Sequence, residues 1–166
     1  EKQYAAILKK YPVDKFPGDG VAYDYLTDAL TRSLMAEGQK EKALKYLDNM
    51  QEEFWRAQAY MPVAAELLKQ GDTASALPLI QKSVDDALKF IRSENQDNKA
   101  KFAAVGYPGY IQTYTGILLA RGEYEEALKS LEEAKAIVPE RASEFSAGYA
   151  KALQMAGRDL EAFNQY

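Results

Sequence analysis

The sequence predicts an all-α protein, an α-solenoid of about four stacked antiparallel helix pairs. Three observations predict it. First, a pattern of glycine, four residues, alanine, then leucine or phenylalanine occurs four times, in "EGQKEKALKYL" (37–47), "QGDTASALPLI" (70–80), "RGEYEEALKSL" (121–131) and "AGRDLEAFNQY" (156–166). Its glycines, Gly38, Gly71, Gly122 and Gly157, lie 33, 51 and 35 residues apart. Two spacings are near ~34 and the middle one is longer by about 17. Second, the residues before each glycine agree. Leucines 34, 67, 118 and 153 stand four positions upstream, and the small residues Thr31, Ala64, Thr115 and Ala150 stand seven upstream. Leu30, Val63, Tyr114 and Tyr149, eight upstream, complete one helical face. Third, a second helical face follows the glycine, as in Ala127, Leu128, Leu131 and Ala134.

Each copy reads as helix, tight turn, helix. The glycine accepts the left-handed conformation that ends the first helix. The small residue before it and the alanine after it let two backbones approach, and the leucines fill the remaining space. A single pair cannot bury its own apolar face, so neighbouring pairs share a core.

Taken in order, residues 1–20 form an N-terminal remnant. "EKQYAAILKKYP" places Tyr4, Ile7 and Pro12 at the spacing of Leu131, Ala134 and Pro139, as in the tail of an earlier second helix. "VDKFPGDG" (13–20) is a loop, because Pro17, Gly18 and Gly20 break a helix. The repeating array occupies 21–166. Its first pair surrounds Gly38 and its second surrounds Gly71, with Pro62 and Pro78 near helix starts. The second pair's later helix runs on to about Arg92. An insertion at about 90–107 follows, polar and turn-rich over "SENQDNK" (93–99), and the next helix begins near Tyr107 and Tyr110. The third pair surrounds Gly122 and the fourth Gly157. The chain stops partway through the fourth pair's second helix, where arrays of this type carry a polar capping helix, so a fragment of a longer protein is expected. Phe163 and Tyr166 then lack a covering helix.

Composition removes several chemistries. The 166 residues suffice for one domain burying ~70% of its unfolded surface. With 21 basic and 25 acidic residues the net charge is −4, and no basic stripe for nucleic acid is present. The absence of cysteine and histidine removes disulfides, thiol nucleophiles, Cys/His zinc sites and imidazole acid–base catalysis. No apolar run reaches the ~18 residues of a membrane helix, and no signal peptide is visible. Asp85 and Asp86 are adjacent, so on a helix they point about a hundred degrees apart and form no acid–base pair. No phosphate loop or metal-ligand spacing occurs. Neither catalysis nor a cofactor is expected. Composition does not separate a cytoplasmic from a bacterial periplasmic or envelope location.

The four phased copies resemble the tetratricopeptide repeat, a helical pair of ~34 residues. The best match is 108–141, where Ala127, Leu131, Ala134 and Pro139 fall at the family's alanine, large apolar, alanine and proline positions. Ile111 and Thr115 replace its tryptophan and first glycine. The resemblance implies that first helices line a concave groove. The groove positions would be Tyr25, Asp28, Arg32 and Met35 in the first pair, and Gln58, Met61, Ala65 and Lys69 in the second. The third pair would add Gln112, Gly116 and Leu119, and the fourth Glu144, Ala147, Lys151 and Met155. It further implies a protein or peptide partner. Asp28 and Arg32 stand where the family's carboxylate clamp has a lysine and an asparagine, so chaperone C-termini are not expected.

Three functional readings follow. In the first, the chain is an interaction scaffold that binds through the groove, with Tyr107 and Tyr110 as a stacking surface beside the insertion. In the second, it is the non-catalytic arm of a larger enzyme, thioredoxin-like or envelope-associated. In the third, surface tyrosines bind a glycan. Trp55 and Phe54 are assigned to the seam between the first two pairs.

Overall fold

The four pattern glycines end four helices in the same way. In the computed structural model, which describes residues 2–10, 20–93 and 98–164, Gly38, Gly71, Gly122 and Gly157 adopt φ of +72°, +79°, +77° and +75°. Each glycine N–H donates to the carbonyl three residues back, on Met35, Leu68, Leu119 or Gln154, at 3.0–3.1 Å. The next residue's N–H donates to the carbonyl of the pattern leucine: Leu34 at 2.8 Å, and Leu67, Leu118 and Leu153 at 2.9 Å. This is the Schellman arrangement, which satisfies carbonyls that a helix end leaves open. The residue after the glycine then caps the following helix. Its carbonyl accepts the N–H of the pattern alanine, Ala43, Ala76, Ala127 or Ala162, at 3.0–3.1 Å.

Nine α-helices result among the described residues, with no strand. They are α1 (Lys2–Lys10), α2 (Gly20–Ala36), α3 (Lys40–Leu47), α4 (Glu53–Lys69), α5 (Thr73–Ile91), α6 (Asn98–Ala120), α7 (Tyr124–Ile137), α8 (Ser146–Met155) and α9 (Asp159–Phe163). A 3-10 stretch, Pro139–Phe145, leads into α8. Successive helices pack on each other across each turn, and α2 also touches α4, α4 touches α6, and α6 touches α8. The core runs through these contacts. Leu34, Leu67, Leu118 and Leu153 are buried, as are Ala43, Ala76 and Ala127. Small residues permit the close approach: a Cβ on Gly116 of α6 would lie 3.3 Å from Leu68 Cδ2 of α4. Ser83 Oγ on α5 donates to the Ala57 carbonyl on α4 at 2.7 Å, so this buried hydroxyl is satisfied across the contact.

The extra residues between the second and third pairs are spent on helix. α5 ends at Ile91, close to the expected Arg92, but α6 already starts at Asn98. Tyr107 and Tyr110 therefore lie in the middle of α6 and not at its start. Both are buried, at 2% and 4% exposure, which corrects their assignment to a stacking surface. The Tyr110 ring lies over Gly106, where an added Cβ would meet its hydroxyl oxygen at 3.0 Å. Pro62, Pro78 and Pro108 are all inside helices, because α4, α5 and α6 begin further upstream of them than proline punctuation suggests. The loop expected at 13–20 and the centre of the polar segment at 93–99 lie almost wholly outside the described residues, as does Tyr166. Phe163 is exposed, together with Leu160.

A candidate partner-binding groove between α2 and α4

The register of α2 on α4 is set by one buried carboxylate. Asp24, 1% exposed, accepts the backbone N–H groups of Gln51 and Glu52, both at 2.9 Å. These donors immediately precede α4, where helix geometry leaves N–H groups without partners. Burial raises the Asp24 pKa from the ordinary carboxylate value, and the two backbone hydrogen bonds act against that rise. Arg56 Nη1 donates to the Met50 carbonyl at 3.1 Å, a second bond within the same approach to α4.

Above this junction lies a cavity of about 170 Å³. Tyr25, Asp28 and Arg32, at three- and four-residue spacing, form its α2 wall, and Trp55, Gln58 and Ala59 form its α4 wall. Tyr25 is 66% exposed, with its ring centroid 5.9 Å from that of Trp55 and the planes tilted by 46°. Trp55 meets Phe54 edge-on at 5.2 Å, and Phe54 meets Phe90 of α5 edge-on at 5.3 Å. Four aromatic rings thus form one continuous series, from half-buried Phe90 through buried Phe54 and half-buried Trp55 to exposed Tyr25. Arg32 Nε donates to both oxygens of Asp28, at 2.9 and 3.1 Å, so its charge is already balanced within the wall. A second hollow of about 270 Å³ continues the groove past Arg32, lined by Met35, Pro62 and Glu66 among others.

The structure brings together Tyr25, Asp28, Arg32 and Gln58 of the expected groove residues. Met35 joins them in the second hollow although it is largely buried. Met61 is half-buried against the core and lines neither hollow. Lys69 is exposed and pairs with Glu66 at 3.6 Å. Gln112, on α6, donates to the Glu144 carbonyl at 3.3 Å, and Lys151 is exposed on α8, so both lie apart from the two hollows. Leu119 is buried. The sequence reading puts Trp55 in the seam with Phe54. Phe54 is indeed in the core, but Trp55 also faces the groove. Its place three residues before Gln58, on the same helical face, is the signal for this in the sequence. The burial of Tyr107 and Tyr110 leaves the glycan reading without those two residues.

Among the described residues no group of three or more Asp or Glu could hold a metal ion, and no helix is long and apolar enough to cross a membrane. Compared with protein-family models, curated proteins and solved structures, the chain has no significant match.

Proposed function

We propose that this chain is a tetratricopeptide-type array, an α-solenoid in which helix pairs stack, and that it binds a protein or peptide partner in the groove between α2 and α4. Four conformationally equivalent turns and the contacts between alternate helices support the array. The observation that carries the binding reading is the Tyr25–Trp55 pair. A tyrosine left largely bare beside a core-anchored tryptophan gives a partner a rigid apolar seat with little ordering cost. The adjoining Asp28–Arg32 pair offers both an acceptor and a donor at the rim, which favours a polypeptide backbone or mixed side chains over a single charged group.

Trp55 is the only tryptophan, so its emission reports directly on the groove. Peptides selected from a displayed random library on the parent protein are expected to change that emission on binding. They should bind much more weakly to Tyr25→Ala and Arg32→Glu variants of unchanged melting temperature. Selected peptides that leave Trp55 emission and variant affinities unaltered would place binding elsewhere.

A further inference from the structure

A second concavity shares no residue with the groove. α5 and α7 each pack on α6 and leave a trough of about 390 Å³ between them. Its α5 wall is Gln81, Val84, Asp85, Leu88 and Arg92. Its α7 wall is Glu126, Ser130, Glu133 and Ile137, and its floor is Tyr107, Ile111 and Tyr114 of α6. Every set has three- and four-residue spacing, so each helix lends one continuous face. Both walls run for roughly three helical turns, ~16 Å at 1.5 Å per residue. The lengthening of α5 and α6 makes this possible. At the first pair, α3 ends after eight residues and offers no such wall.

The trough has an apolar centre of Val84, Leu88, Ile111 and Ile137, and an acidic rim. Asp85, Glu126 and Glu133 are exposed, against one lining cation, Arg92. Asp85 and Glu126 have no ion-pair partner among the described residues, and Glu133 has only Lys129 of its own helix, at 4.0 Å. At the bottom, Tyr107 is 98% buried by its neighbours yet lines the trough, and its hydroxyl makes no hydrogen bond among the described residues. Burial pushes this phenol up to about 12; Arg92 pulls it down, while Glu133 and Asp85 push it up.

We propose that this trough is a second docking site, and that its occupant is an amphipathic helix whose apolar stripe is flanked by lysine or arginine. The length suits about three turns, the apolar centre accepts a stripe at three- and four-residue spacing, and the rim attracts cations. A lysine or arginine beside the stripe can also donate to Tyr107 Oη where it lines the trough.

The test uses a labelled synthetic helix of roughly 14 residues with leucines at i, i+3, i+4 and i+7 and lysines on both flanks. Fluorescence anisotropy is expected to show saturable binding that weakens with salt. A variant carrying Asp85→Lys, Glu126→Lys and Glu133→Lys should bind roughly tenfold or more weakly, whereas Tyr25→Ala in the groove should bind as the parent does. If the triple variant does not fold, methyl NMR of the parent decides instead: shifts should concentrate on Val84, Leu88 and Ile137. The proposal is overturned by absence of saturable binding, by equal binding of a glutamate-flanked or scrambled peptide, by undiminished binding to the folded triple variant, or by shifts confined to the groove.

Discussion

The carboxylate of Asp24 in α2 accepts the backbone N–H of Gln51, 27 residues along the chain, at 2.9 Å, and its other oxygen takes the N–H of Glu52. One side chain thereby completes the start of α4 and holds the two walls of the groove together. Asp24→Ala leaves two N–H groups without this acceptor and should cost about 1–3 kcal/mol in urea unfolding. Asp24→Asn keeps one acceptor oxygen and should recover part of the loss. The Tyr25–Trp55 contact should loosen in parallel, seen as a shift in Trp55 emission. An alanine variant with parental stability would mean that the junction is held by apolar packing alone.

Gly122 should be sensitive for its conformation and not for its surroundings. Its φ is +77°, and an added Cβ would meet only the Tyr124 hydroxyl oxygen, at 3.9 Å. Gly122→Val is therefore expected to cost on the order of 1–2 kcal/mol from the left-handed backbone. Gly122→Asn should cost less, since asparagine tolerates this region better. Paired thermal melts check the order of the two, and equal losses would point to sterics instead.

Thr31 and Thr115 occupy equivalent positions but should respond oppositely to valine. Thr115 Oγ1 donates to the Ile111 carbonyl at 2.8 Å, whereas the fully buried Thr31 Oγ1 has no hydrogen-bond partner among the described residues. Removing a buried, unsatisfied hydroxyl without changing shape should stabilise, so Thr31→Val is expected to gain roughly 1 kcal/mol. Thr115→Val should be neutral or lose a similar amount. Chemical denaturation of the two single variants separates them.

Asp72 should make stability fall in acid. It caps α5 through Ser75 N at 3.1 Å and pairs with Lys40 from the start of α3. The hydrogen bond from Lys40, then those from Ser75, hold its pKa at about 2, below the ordinary value of 3.8. A depressed folded-state pKa gives stability that is present above the unfolded value and lost as pH falls towards the folded one. The contribution should therefore fade between about pH 4 and pH 2. The pair is half-exposed, so added salt should shrink the effect. Lys40→Met keeps the cap and removes the main cause, and its melting temperature should approach that of the parent through this window. Asp24, whose pKa burial raises, has the opposite sign: its linked stability is present below the unfolded value and lost as pH rises through the folded one. The comparison with Lys40→Met isolates Asp72 from it.

By itself the sequence determined the helical class and the four turns. A glycine phased with Leu34, Leu67, Leu118 or Leu153 closes its turn with hydrogen bonds inside six residues, so the local residues suffice to specify it. The resemblance to the tetratricopeptide repeat singled out Tyr25, Asp28, Arg32 and Gln58, and these four line one cavity between α2 and α4. Only the tertiary structure decided that Asp24 reaches the start of α4, that Trp55 turns one edge to the groove, and that Tyr107 and Tyr110 lie inside a long α6. Those outcomes depend on partners dozens of residues away. A tyrosine-rich segment near a glycine and a proline carries the same local signal whether its rings face water or a neighbouring helix. The packing of α5 and α7 on α6 selected the interior for them, and left the trough that the longer helices frame.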